Sequence, residues 1–172
     1  ISPTASGART KQFYWPNTNV LITRFFAPEG IAQVTDYMPT GLSQHEPGYR
    51  CLIRDLRTVR GNLSFDLECH PGFNYARDKH TTTITTTGAC FDTPNLSLGL
   101  VTRLQLEKDG CGVIAHFALK EGESATFVLQ EIKSGSECGP LLSDEQAGEL
   151  FKRTVDYWLS WLSKCTYTGR WR

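Results

Sequence analysis

The feature that most limits the fold of this chain is a stretch, residues 62–69, in which apolar and polar side chains alternate strictly. The apolar set is Leu63, Phe65, Leu67 and Cys69, and the polar set is Asn62, Ser64, Asp66 and Glu68. Because successive side chains of a β-strand point to opposite faces, this pattern predicts a strand with one buried and one solvated face. Strands of this kind are typical of antiparallel sheets.

Further strand patterns fill the first two thirds of the chain. Residues 20–26 meet an Ala-Pro-Glu-Gly turn at 27–30 and return at 31–38, which predicts a hairpin because Pro presets the first central turn position. The strand-like stretch 50–60 loses its alternation near Arg54 and Asp55, so we expect a bulge or a twist there.

Two more patterns complete the β region. Residues 81–87 are rich in threonine, which predicts an edge or outer strand. Asp109-Gly110 is a strong hairpin signal between residues 96–107 and 111–120, and an alternating strand follows from Ala125. These stretches predict three consecutive antiparallel strands and, with no helix pattern between them, a mainly β fold: a two-layer antiparallel β-sandwich.

The last segment has a helical pattern. Ser143 and Gln146 fit a capping box, in which each side chain bonds to the other residue's backbone amide. At about 100° per residue, one side of this helix is apolar. Its members are Ala147, Leu150, Phe151, Val155, Trp158, Leu159, Trp161 and Leu162. With Tyr157 included, this side spans roughly 200°, wider than a helix needs to pack on a single core.

The width of this apolar side suggests that the helix packs against two bodies. We therefore expect residues 1–140 to form a β-sandwich domain and residues 141–172 to form an amphipathic linker helix with the start of a connection to a further domain.

Charge and hydropathy exclude several classes of protein. The sequence holds 18 Lys and Arg against 18 Asp and Glu, which argues against nucleic acid or an anionic membrane as a partner. No stretch approaches the ~18 apolar residues of a membrane span, and the first residues lack the layout of a signal peptide. The sequence predicts a soluble chain, cytoplasmic or secreted.

The six cysteines lie 18 or more residues apart, so no close pair of metal ligands is present. We expect neither a metal nor a cofactor. Disulfides of a secreted protein and buried free thiols both remain open for these cysteines.

The residues themselves mark no catalytic site. Asp66 and Glu68 point the same way from one strand, whereas the two carboxylates of a glycosidase must flank a bond, so a solvated strand face is the interpretation we adopt. Four histidines are scattered without a local partner that would define a base or a metal site: His45, His70, His80 and His116. No Gly-x-Ser-x-Gly motif occurs.

Two aromatic residues before Pro16 have a functional interpretation. A solvent-facing ring at Tyr14 or Trp15 is able to stack on the apolar face of a sugar, which makes them candidate sugar-binding residues. The alternative is that these rings close one end of the sandwich or are buried against a partner.

Four segments resemble a known family. Three of them are WPNTNVLITRF at 15–25, GIAQVTDYMP at 30–39 and RDLRTVRGNLSFDLECHPGFNYAR at 54–77. They resemble the trehalase-like N-terminal domain of glycoside hydrolase family 15, which includes glucoamylase-like and trehalase-like proteins. YWLSWLSKCTYTGRWR at 157–172 resembles the connector helix and exit of that domain.

The resemblance implies a β-sandwich joined through a linker helix to an (α/α)6 barrel that hydrolyses α-glucosidic bonds of trehalose or starch-type oligosaccharides with inversion. The general acid and general base glutamates are then expected beyond Arg172, so no catalytic residue is assigned in this chain. The resemblance also implies that the first strands of the domain precede Ile1.

The wide apolar helix side and the resemblance agree on an interface. Its predicted residues are Trp158, Trp161, Leu162 and Trp171. The expected partner is the chain's own catalytic domain or its cleaved remainder, and an exposed face of this kind also predicts self-association of the isolated chain. The alternative function is a free carbohydrate-binding module that takes an α-glucan oligosaccharide.

Overall fold

The computed structural model describes residues 1–46, 49–167 and 169–170, and it places two antiparallel sheets face to face with a helix on the outer side of one of them. The strands are β1 (Ser2–Pro3), β2 (Arg9–Tyr14), β3 (Leu21–Ala27), β4 (Gly30–Tyr37), β5 (Cys51–Gly61), β6 (Leu63–Cys69), β7 (Thr81–Thr85), β8 (Gly88–Asp92), β9 (Ser97–Val101), β10 (Glu107–Asp109), β11 (Gly112–Leu119) and β12 (Ser124–Ile132). The helix is α1 (Asp144–Ser163). The predicted class, mainly β with two antiparallel sheets and a C-terminal helix, is confirmed.

The two sheets differ in size. The smaller one has the order β1-β6-β11-β10, and the larger one has the order β2-β3-β4-β5-β12-β9-β8-β7. The threonine-rich strand β7 lies at an edge of the larger sheet, as predicted. The β3–β4 hairpin and the β10–β11 hairpin also form where the Pro-Gly and Asp-Gly turns predict them. Strand β2 is not predicted, because its Arg-Thr-Lys-Gln start is exposed and shows no apolar alternation.

The main core lies between the two sheets. The alternation predicted for β6 is observed, since Leu63, Phe65 and Leu67 are buried while Ser64 and Glu68 are exposed. The apolar residues of β6 pack with inward residues of the larger sheet, including Leu56, Phe91 and Phe127. Burial of each such side chain stabilises the fold by about 1.5–3 kcal/mol.

A second core lies between the outer face of the larger sheet and α1. Its buried members are Val20, Ile22, Tyr37, Cys51, Ile53, Cys90, Val101, Val128, Cys138 and Leu150. Phe151 and Val155 of the helix pack against this cluster and are partly buried. The larger sheet is therefore covered on both faces, and the apolar residues of strands such as β5 and β12 point both ways.

Helix α1 begins at the predicted cap. Ser143 Oγ accepts a hydrogen bond from Gln146 N at 3.1 Å, and Ser143 N donates to Gln146 Oε1 at 2.8 Å, which completes the capping box. Farther along, Arg153 Nη1 donates to Glu46 Oε1 at 2.7 Å and links the helix to the loop after β4. A hydrogen bond from the Ser43 backbone, with Arg153, lowers the pKa of Glu46 to about 2. The helix lacks the combination of length and apolarity that would let it cross a membrane.

The prediction of three consecutive antiparallel strands is wrong. The first stretch divides between β9 in the larger sheet and β10 in the smaller one, and β12 pairs with β5 and β9 rather than with β11. The turn at Lys120 to Glu123 carries the chain from one sheet to the other: Gly122 has a left-handed φ of 85°, and its N–H donates to Thr58 O on β5. The residues of this turn do not encode which sheet the next strand joins.

The predicted bulge near Arg54 and Asp55 is also misplaced. The register shift lies between Ile31 and Ala32, which pair with Arg60 and Thr58 and leave Val59 as the extra residue. Arg54 instead stays in register and pairs with Asp36 of β4, with Nε donating to Oδ1 at 2.6 Å. The polar character that suggested irregularity belongs to this ion pair.

The cysteines divide between a disulfide and free thiols. Cys90 on β8 and Cys138, in the segment that leads to α1, form a disulfide with their Cα atoms 5.5 Å apart, and both are buried in the second core. Cys69, Cys111 and Cys165 are free thiols. The disulfide therefore attaches the approach to the helix to the outer face of the larger sheet.

Replacing both disulfide cysteines by alanine should lower the free energy of unfolding by about 2–4 kcal/mol, because the bridge closes a long loop. The bridged residues are 48 positions apart. Urea unfolding followed by tryptophan fluorescence measures the difference. Cys111→Ser is the matched control and should change stability by less than about 0.5 kcal/mol, since Cys111 is exposed. A Cys90→Ala/Cys138→Ala variant as stable as the wild type would contradict the prediction.

Candidate functional site

A candidate ligand site with both polar and aromatic lining is a cleft beside the first turns of α1, which we name the helix–sheet cleft. Its volume is about 430 Å³. Its floor is the outer face of the larger sheet, and its walls come from α1 and from the turn between β2 and β3. Its lining includes Trp15, Gln33, Asp55, Arg57, Asp144 and Phe151.

The floor is made by polar residues in register across three central strands. Gln33 of β4 lies opposite Arg57 of β5, which lies opposite Ser124 of β12. The next outward row is Thr35, Asp55 and Thr126, built from the same strands. Because outward positions repeat every two residues, these rows share one face.

The following row explains where the cleft ends. It contains Tyr37, Ile53 and Val128, all buried in the second core beneath the helix. The outward side chains of these strands therefore change from apolar to polar over two residues of each strand. The helix covers the apolar rows, and the polar rows remain as the floor of the cleft.

Tyr37 fixes the helix wall relative to this floor. Its hydroxyl donates a hydrogen bond to Ala147 O at 2.8 Å, and burial raises the pKa of this tyrosine. Ala147 belongs to the first turns of α1, next to Gly148 at the cleft. An ideal Cβ built on Gly148 meets no atom within 4 Å, so the absent side chain leaves open space there.

Trp15 forms part of the opposite wall. It begins the turn between β2 and β3, where Trp15 N donates to Val20 O at 2.8 Å and Thr18 N donates to Trp15 O at 3.0 Å. Asn17 takes the left-handed conformation, φ 60°, that Asn tolerates in such a turn. The Trp15 ring packs edge-to-face on Phe151 with 5.5 Å between ring centroids and keeps 39% of its surface exposed.

Of the two candidate sugar-binding residues, the structure brings Trp15 to the cleft but not Tyr14. Tyr14 ends β2 opposite Leu21 and is 63% exposed, away from the residues that line the cleft. Sugar binding by either residue stays a prediction.

The charges in the cleft are mixed. Burial raises the pKa of Asp55, and repulsion by Asp144 raises it further. Two contacts lower this pKa: the hydrogen bond that Thr126 Oγ1 donates to Asp55 Oδ1 at 3.0 Å, and the nearby Arg57 guanidinium. The cleft is therefore lined by two carboxylates, those of Asp55 and Asp144, and by the guanidinium of Arg57. Within the described ranges, no group of three or more His, Cys, Asp and Glu is placed to hold a metal ion.

The predicted interface residues lie at the other end of the helix. Trp158 and Leu162 are partly buried, and Trp161 is 55% exposed. Tyr157 and Leu159 are exposed beside them, and the Trp158 ring contacts both the Tyr157 and the Trp161 ring edge-to-face. Trp171, the fourth predicted residue, lies outside the described residues. An interface role for these residues stays a prediction.

Three of the histidines lie close to polar atoms of residues that are distant in the sequence. His116 Nδ1 lies 2.6 Å from Asp66 Oδ1 on the neighbouring strand. His70 Nε2 lies 3.6 Å from Asp109 Oδ2, and His80 Nε2 lies 2.7 Å from Cys111 O. These partners lie 31 or more residues away, so no local spacing reveals them.

Asp55, Arg57 and Asp144 are cleft residues that the sequence patterns do not single out. The available signal was the alternation of β5, in which Asp55 and Arg57 continue the outward row of Cys51 and Ile53. Asp144 reaches the cleft only because the helix begins above that row, and its placement depends on tertiary packing.

The fold and the cleft define a class of domain: a β-sandwich with a helix on its outer face and a polar, aromatic-walled cleft beside that helix. No family model matches the chain. The chain is 27% identical to a trehalase of Thermoplasma acidophilum over 159 residues, which are 92% of this chain and 27% of that protein. It is 24% identical to a trehalase of Thermoplasma volcanium over 159 residues, 92% of this chain and 25% of that protein.

The chain therefore spans about a quarter of the length of the relatives it matches. Since the match covers 92% of this chain, it includes most of the sandwich and helix rather than one motif. The chain is thus similar to about a quarter of each of these two trehalases.

Asp55→Asn should raise the free energy of unfolding at pH 7. The pKa of Asp55 lies above its unfolded value of 3.8, so folding favours the protonated carboxyl and the ionised form weakens the fold. Asparagine removes the charge and keeps an oxygen that accepts from Thr126. The gain should shrink as the pH falls toward 3.8, where wild-type Asp55 becomes protonated in both states.

Urea unfolding at a series of pH values measures this effect. Asp109→Asn, which changes an exposed carboxylate on β10, is the control and should show no comparable gain at pH 7. A loss of stability in Asp55→Asn at neutral pH would contradict the assigned direction of the pKa shift.

Proposed function

We propose that residues 1–172 are a non-catalytic domain of a trehalase-like glycoside hydrolase, and that α1 docks this domain on the catalytic domain of the same protein. The observation that carries the proposal is the exposed apolar face at the C-terminal half of the helix. Tyr157 and Trp161, one turn apart on one flank of the helix, are 43% and 55% exposed, and Leu159, on the opposite flank of the apolar side, is 44% exposed. Large exposed apolar side chains that lie close together, such as Tyr157 and Trp161, are typical of an interaction surface.

The division of the helix supports this role. Its first half buries Leu150 in the second core, and Ala147 and Thr154 are also buried. Its second half presents the aromatic side chains named above. The helix packs on the sandwich with its first half, and we infer from its wide apolar side that its exposed second half contacts a second body.

The non-catalytic assignment is supported by how little of each relative the match covers. The two relatives are named trehalases, and the match leaves about three quarters of each outside the aligned region. We assign the general acid and base of an inverting α-glucosidase to that part of the protein, in an (α/α)6 barrel. The substrate would be trehalose or a starch-type oligosaccharide.

The second candidate function is a carbohydrate-binding module. The observation that favours it is the position of Trp15 in the wall of the helix–sheet cleft, close to polar floor residues. This candidate is compatible with docking, because the exposed helix face and the cleft lie at opposite ends of α1.

The purified 172-residue chain should release no glucose from trehalose or maltose. Its cleft holds two carboxylates, Asp55 and Asp144, so hydrolysis is the sharpest test of the non-catalytic role. Glucose release is measured by a coupled glucose assay, with Asp55→Asn as the matched control. Turnover that copurifies with the wild type and disappears in Asp55→Asn would contradict the proposal.

The exposed helix face should matter only when its partner is present. Tyr157→Ser/Trp161→Ser should lower the stability of the isolated chain by no more than about 1 kcal/mol, because both side chains are largely exposed and their ring contacts are edge-to-face contacts with Trp158. In the longer polypeptide proposed here, the same change should cost at least about 2 kcal/mol, since buried aromatic anchors dominate interfaces.

Thermal and urea unfolding of both proteins give the comparison, and sedimentation velocity shows whether the substitution also reduces self-association of the isolated chain. Glu149→Ser, on the polar side of α1, is the control. Equal effects of the double substitution in the two proteins would contradict docking through this face.

A further inference from the structure

We propose that the helix–sheet cleft binds a pyranose unit of a neutral oligosaccharide, with Trp15 as the stacking surface and Asp55, Arg57 and Ser124 as hydrogen-bonding groups. This inference gives the second candidate function a location and a ligand. It does not depend on the docking of the helix.

The size of the cleft suits a small organic ligand. Its volume of about 430 Å³ lies inside the range of about 300–1,000 Å³ that is typical of small-molecule sites. The cleft combines apolar side chains with a few polar groups that face one space, which is the usual composition of such sites.

The polar floor has unused hydrogen-bonding capacity. Asp55 Oδ1 accepts from Thr126, and Gln33 is engaged by Arg24 Nε at 2.9 Å. Within the described residues, the side chains of Arg57 and Ser124 make no hydrogen bond to protein, although both line the cleft. Donors and acceptors therefore stand side by side, as the hydroxyl groups of a sugar require, because each hydroxyl both donates and accepts.

The charges argue against other ligand classes. A strongly anionic ligand would be repelled by Asp55 and Asp144, and a divalent cation would be opposed by Arg57, which acts on Asp55 directly. An entirely apolar ligand would strip water from these charged groups without replacing their hydrogen bonds. A neutral ligand with many hydroxyl groups satisfies both the charges and the aromatic wall.

The aromatic wall is preorganised. Backbone hydrogen bonds to Val20 and from Thr18 fix Trp15 in its turn, and Phe151 supports the ring from the helix. A ring held in place loses little conformational freedom when a ligand binds. The exposed part of the Trp15 ring is thus available for stacking on the C–H face of a pyranose.

Gly148 provides a second, independent indication that this space is available to a ligand. A glycine within a helix is less favourable than alanine, and here a side chain would meet nothing within 4 Å. Packing therefore does not require the glycine. The missing side chain leaves the helix side of the cleft open at this position.

Isothermal titration of the 172-residue chain with trehalose, maltotriose and cellotriose tests the proposal. We expect saturable binding of at least one of these sugars. Trp15→Ala should weaken it at least about tenfold, and Tyr75→Ala, a control at an aromatic side chain that is 90% exposed and outside the cleft, should leave it unchanged. Circular dichroism and thermal unfolding confirm that each variant is folded.

Two further variants separate ligand contacts from structural effects. Gly148→Leu should fill the cleft and abolish binding while the helix becomes no less stable, since leucine is a better helix former than glycine. Asp55→Asn should bind the sugar more weakly although its folded state is more stable at pH 7.

The outcomes are distinct from those of the docking test. No heat of binding with any of the three sugars, or binding that Trp15→Ala and Gly148→Leu both leave unchanged, would overturn the cleft assignment. Binding of a simple amine such as choline without binding of any sugar would also overturn it. None of these results bears on the exposed helix face.

Discussion

The structure depends on burial of both faces of the eight-stranded sheet. The inward residues of β4, β5 and β12 pack against the smaller sheet, and part of their outward residues packs under α1. Leu56 and Ile53 of β5 illustrate this, because they lie on opposite faces and both are fully buried. A sheet of this kind cannot be stable alone, so the small sheet and the helix are both required, and the Cys90–Cys138 disulfide attaches the approach to the helix.

The helix–sheet cleft follows from the limits of that coverage. Along β4 and β5 the outward rows change from Tyr37 and Ile53 to Thr35 and Asp55, and the helix begins above this change. Polar side chains at the floor keep water and cannot be covered by an apolar helix face without cost. One helix thus closes a core with its middle turns, borders a polar cleft with its first turns and presents exposed aromatic residues with its last turns.

Much of the fold is accessible from the sequence. The alternation at Leu63–Cys69, the two hairpin turns, the threonine-rich edge strand and the Ser143 cap are local patterns, and the structure confirms each of them. The candidate site is less accessible. The sequence identifies Trp15 as a candidate because it is an aromatic residue beside a turn. Asp55, Arg57 and Asp144 are recognised as cleft residues only from the register of β4, β5 and β12 and from the position of α1.

The sequence by itself determined where the helix and most of the strands form, because side-chain periodicity and turn residues act over a few neighbouring positions. Only the tertiary structure decided which strands share a sheet, since β11 and β12 are joined by a short turn yet belong to different sheets. The tertiary structure also decided which histidines lie beside a carboxylate, as His116 does beside Asp66, and which polar residues line the same cleft. These outcomes depend on contacts between residues far apart in the chain, and such contacts leave no periodic trace in the sequence.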